Sequence, residues 1–138
     1  KMMSDTMKKQ LNHYYNEAYE KMTDKSDEAV KTLKFAVIIT VIQSYMSSVF
    51  QAIRVSLDDT NSDQSGTALV LDTVDSISQK IGKIAPDATI DEKTDQMINI
   101  LENSTTPSYD ILKIADINIP LIETMKSDFV VMADFLKN

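Results

Sequence analysis

FAVIITVIQSYMSSVFQAI, residues 35–53, contains no charged side chain, and the reading of this stretch decides the fold. From Phe35 to Ile42 it is apolar nearly all round. Beyond Ile42 it becomes one-sided: Tyr45, Met46, Val49, Phe50 and Ile53 recur at helical spacing, and Ser44, Ser47, Ser48 and Gln51 form a narrow uncharged face. A helix apolar on every side belongs in the middle of a bundle or in a membrane. Nineteen residues bracketed by Lys34 and Arg54 meet the length of a span, about 17–25 residues. Gln43, Gln51 and the serines argue against one, because such groups are costly against lipid. The expectation is a central core helix. A true span, or a helix that leaves the bundle for a membrane as in a pore-former, is the minority alternative.

Working outward, Ser26 followed by Asp27 and Glu28 reads as an N-cap with acid in the first turn, so this helix is expected over 27–57. Thr23 to Ser26 is a short break, or else a bend in one continuous helix. Upstream, Met3, Met7, Leu11, Tyr14 or Tyr15, Ala18 and Met22 mark one face of a helix over 4–22. Downstream, residues 58–65 form a polar loop. Val70, Val74, Ile77, Ile81 and Ile84 then stripe a helix over 66–84, which Ala85-Pro86-Asp87 stops. Thr89 and Glu92 have capping-box spacing and open a short helix carrying Ile90, Met97 and Leu101. Pro107 suits the first turn of a last helix. The stripe Ile111, Ala115, Asn118, Ile122, Met125, Phe129, Met132, Leu136 keeps its spacing through Pro120, so one kinked helix is expected rather than two.

Composition agrees with this reading. Two Gly and three Pro in 138 residues are too few for the tight turns of a strand-rich fold. The fold class is therefore all-α: an elongated four- to five-helix bundle with a central, almost uncharged helix, in a single domain over residues 1–138. With no Cys there is no disulfide framework and no thiolate chemistry. No signal peptide is visible in residues 1–30. The compartment stays open between secreted, periplasmic and cytoplasmic.

The net charge is −7 and unevenly spread. Lysines and the single Arg outnumber acids before residue 58, and acids dominate after it. This sign repels phosphate backbones and anionic lipid, so nucleic acid and membrane partners are disfavoured. A basic protein partner is favoured in encounter rate.

No nucleotide-binding loop, zinc-protease signature or serine-nucleophile motif occurs, so no catalytic residue, no cofactor and no enzymatic activity are expected. Three features could carry binding. His13, Tyr14, Tyr15 and Tyr19 form a polar-aromatic patch of the kind enriched at interfaces; core packing of these rings is the plainer alternative. Ser44, Ser48, Gln51, Arg54 and Asn118 could line a cavity for an amphipathic carboxylate, which the guanidinium would grip. Arg54 would otherwise pair with a carboxylate of the bundle, and Asn118 would bond a carbonyl freed by Pro120. Asp59, Asn61 and Asp63 match the first ligand positions of a calcium loop. Gln64 then replaces the required Gly and Val70 the bidentate Glu, which leaves a weak metal candidate. The leading expectation is a non-enzymatic protein-interaction module of inhibitor, immunity, chaperone or secretion-partner type. The alternative is a small-molecule binding or sensor bundle.

Overall fold

The computed structural model describes residues 2–59, 64–103 and 119–138, with side chains throughout except 2–4, 50, 52–59, 64–70 and 119–122. Five α-helices make up the described chain: α1 (Met2–Lys21), α2 (Asp27–Asp59), α3 (Gln64–Gly82), α4 (Ile90–Asn103) and α5 (Ile119–Lys137). The all-α bundle read from the sequence is the observed architecture.

The helix starts are set by local chemistry. Ser26 Oγ accepts from the Ala29 amide at 3.3 Å, and the first helical bond of α2 runs from the Val30 amide to the Ser26 carbonyl at 2.9 Å. Asp24 Oδ1 accepts the Ser26 amide at 2.9 Å, closing the turn that separates α1 from α2. The bond holds the Asp24 carboxyl below its ordinary pKa, because hydrogen bonds to the charged form favour it. A break, not a bend, therefore lies between the two helices. At α4, Thr89 Oγ1 accepts the Glu92 amide at 3.1 Å, the bond anticipated from the Thr-x-x-Glu spacing. Pro120 is the second residue of α5 as described. The kinked continuation expected upstream of it, with Ile111 and Ala115, lies outside the described residues.

α2 packs against each of the other four helices, and α5 packs most extensively on α1 and α4. Lys34 of α2 lies over Phe135 of α5, and Tyr45 of α2 meets Asp128 and Phe129 of α5. Residue numbers thus rise along α2 as they fall along α5, so the two run antiparallel. The short turn likewise makes α1 antiparallel to α2, which leaves α1 and α5 parallel neighbours.

The core draws on all five helices. Met7 and Leu11 enter from α1, Val74 and Ile77 from α3, Met97, Ile100 and Leu101 from α4, and Met125, Phe129, Met132 and Leu136 from α5. The 33-residue α2, about 50 Å long, contributes Val37, Ile38, Val41, Ile42, Met46 and Val49. Its first half is less enclosed than its composition implies. Ala36, Thr40, Gln43, Ser44, Ser47, Ser48 and Gln51 form a continuous solvent-exposed ridge on the opposite side. The ridge faces water without charge because hydroxyls and amides are themselves hydrated; Thr40 Oγ1 also donates to the Ala36 carbonyl at 3.0 Å and Ser48 Oγ to the Ser44 carbonyl at 3.1 Å. Among the described residues, only the stretch Asp27–Val49 is long and apolar enough to cross a membrane, at a mean hydropathy of 1.3 and with a third of it buried.

Candidate functional site

The aromatic residues of α1 fall on two sides of the helix. Tyr15 is one turn beyond Leu11 on the inward stripe and is half-buried. It stacks on Tyr19 at 5.5 Å and meets the edge of Phe135 at 5.8 Å. Burial, and then the neighbouring Tyr19 hydroxyl, push the Tyr15 pKa up. His13 and Tyr14 face outward. Their rings meet edge to face at 5.9 Å, and Tyr14 keeps 41% of its surface in water. His13 Nε2 lies 3.5 Å from Glu17 Oε1, with both side chains exposed, a contact that solvent screens heavily. The four residues grouped by sequence therefore split into an inner pair, Tyr15 and Tyr19, and an outer pair, His13 and Tyr14.

Two lysines border the inner pair. The Lys25 ammonium sits 4.6 Å above the Tyr19 ring. Lys34 of α2 reaches the junction of α1 and α5, 5.9 Å from the Tyr15 ring and 5.7 Å from that of Phe135. These rings form part of an open cleft of about 390 Å³ between α1 and α5. α1 lines it with Lys8, Leu11, Asn12, Tyr15 and Asn16, which lie on one helical face. The α5 stripe is Val131, Asp134, Phe135 and Asn138. The three helices that build the cleft bring together residues 8–16, 34 and 131–138, a juxtaposition without a sequence motif. The signal available beforehand was the half-apolar stripe at the end of α5.

Of the residues proposed from the sequence for a ligand cavity, those whose side chains are described do not line this cleft. Ser44, Ser48 and Gln51 are exposed on the α2 ridge. The side chain of Arg54 and the whole of Asn118 lie outside the described residues. So do Asn61, Asp63 and the side chain of Asp59, so the calcium-loop candidate is not placed. Among the described residues no three His, Asp or Glu side chains gather as a metal site would need.

Sequence reasoning missed Asp128. It is 2% exposed, at the centre of α5. Oδ2 accepts from the Tyr45 hydroxyl at 2.8 Å, and Oδ1 is buried without a hydrogen-bond partner. Burial raises the carboxyl pKa, with the Tyr45 bond opposing that rise. The Tyr45 hydroxyl is itself pushed far up, by burial first and then by its carboxylate neighbour. With Asp128 buried and Tyr45 half-buried over it, this pair is an element of packing between α2 and α5.

Besides the outer aromatic pair and this cleft, the described surface has open clefts of about 580 Å³ between the end of α1 and the start of α2, at Met22 and Leu33, and of about 280 Å³ between α3 and α4, at Lys80 and Ile100. No protein-family model, no curated protein and no solved structure shows significant similarity to this chain.

Proposed function

We propose that the chain is a non-enzymatic helical interaction module that presents the outer face of α1 to a partner protein. The observation that carries this reading is Tyr14, a large aromatic ring left 41% exposed beside the His13 ring. Tyrosine is enriched in interface hot spots because it combines a broad apolar face with a hydroxyl at modest entropic cost. Methionine is not part of the support: Met7, Met46, Met97, Met125 and Met132 all lie in the core. The exposed acids Asp72, Asp75, Asp91, Glu92 and Asp95 of α3 and α4 favour a partner with a basic surface, through faster encounter.

A photo-crosslinking residue at position 14 tests the reading, with position 78 on exposed α3 as the control. In cells of the native host, position 14 should yield a discrete adduct that position 78 does not. Excess wild-type protein should displace it, and the Tyr14→Ser protein should not. Equal labelling at both positions, or none at 14, overturns the proposal.

A further inference from the structure

We infer that the cleft between α1 and α5 is a binding site for a small amphipathic monocarboxylate, an acid with a short apolar body. The inference is independent of the protein-partner reading and uses the opposite face of α1.

The floor of the cleft is apolar. Leu11 and Val131 are 1% and 9% exposed, and the Tyr15 and Phe135 rings stand at 81° to one another above them. A volume of about 390 Å³ falls within the usual range for small ligands, about 300–1,000 Å³. The groove takes in two turns of each helix, about 12 Å along α1. That is too short to seat a partner helix by several turns and sufficient for a chain of eight carbons.

Lys34 supplies the charge at the cleft's edge. Its ammonium is held against two aromatic rings, which orient it through their quadrupoles without neutralising it. No carboxylate of the described residues lies within 4.0 Å of the Lys34 or Lys8 ammonium. Two cations therefore border a groove that contains one acid, Asp134, whose side chain is exposed on the α5 rim. Over the lining side chains the balance is one positive charge, set against the partial negative charge at the carbonyl end of α5. A carboxylate that displaces water there gains charge-assisted bonds from Lys34 while its tail packs on the partly exposed rings of Tyr15 and Phe135.

Titration calorimetry and amide-resonance mapping with sodium octanoate test the site, with octanamide as the uncharged control. Octanoate should bind saturably and shift resonances around residues 11–16 and 131–138. Octanamide should bind at least about tenfold more weakly, a difference of about 1.4 kcal/mol. Lys34→Gln should weaken octanoate by a similar factor with an unchanged circular dichroism spectrum, and Lys34→Arg should restore most of the affinity. Asp134→Asn should tighten binding, since it removes the one opposing charge. Absence of saturable binding, equal affinity for the amide, insensitivity to Lys34→Gln, or shifts confined to the Ser44–Gln51 ridge would each overturn the inference. None of these outcomes bears on crosslinking at position 14.

Discussion

The Tyr45 hydroxyl donates to Asp128 Oδ2 at 2.8 Å across the α2–α5 contact, while Oδ1 of the same carboxyl is buried with no partner. A half-satisfied buried carboxylate destabilises its own charged form, and the neighbouring Phe129 ring, 5.6 Å from that of Tyr45, adds apolar surroundings.

The pH dependence follows in sign. The carboxyl pKa is raised in the folded state above the value near 3.9 of an unfolded chain. Folded protein therefore keeps a proton that unfolded protein has released. The contribution of Asp128 is most favourable below about pH 4 and is lost as pH rises through the folded-state value. Urea denaturation of wild type and Asp128→Asn between pH 4 and pH 7 should show wild type gaining relative to the variant as pH falls. Parallel curves would contradict this. Tyr45→Phe removes the one partner and should cost about 1–3 kcal/mol, more at pH 7 than at pH 4.

Adjacent residues of α5 should respond very differently to truncation. Phe129 is fully buried and Val130 is 46% exposed. Phe129→Ala should cost about 3–5 kcal/mol, a large share of the roughly 5–15 kcal/mol that holds a domain folded. Val130→Ala should stay within about 0.5 kcal/mol. Thermal unfolding followed by circular dichroism distinguishes the two directly.

Helix starts give a second, local test. Ser26→Ala removes the acceptor for the Ala29 amide and Thr89→Ala the acceptor for the Glu92 amide. Each should lower stability by about 1 kcal/mol. The two caps begin different helices and share no hydrogen-bond partner, so the double variant should lose the sum within about 0.5 kcal/mol.

Gly82 closes α3 without a positive φ, and a Cβ built on it meets nothing within 4 Å. Gly82→Ala should therefore raise stability by about 0.4–1 kcal/mol through the entropy of the unfolded chain. A decrease on chemical denaturation would show that the glycine is needed for its backbone freedom after all.

Much of the bundle was legible in local chemistry. The Ser26 and Thr89 caps appear where their sequence signals stand, because an N-cap needs only a side-chain oxygen and an amide three residues away. The stripes of α3, α4 and α5 fall inward at Val74 and Ile77, Met97 and Leu101, Met125 and Phe129, since a repeat near 3.6 residues fixes which face is apolar. The candidate sites were less legible. Position along α1 groups His13 with three tyrosines, yet the helical turn sends Tyr14 to solvent and Tyr15 against Phe135. The lack of charge in α2 overstated its enclosure, because Ala is small and Thr, Ser and Gln are hydrated by water, so an uncharged face can be a solvent-exposed one.

The order of amino acids determined the helices, the caps and the apolar faces, each a consequence of contacts within about one turn. Tertiary structure alone decided that Lys34 lies between Tyr15 and Phe135 and that Asp128 is sealed against Tyr45. Those neighbours are 19 to 101 residues apart in the chain, and only the antiparallel docking of α2 on α1 and α5 brings them within reach. A charge on an amphipathic helix reads as solvated until the packing of other helices fixes how much water remains around it.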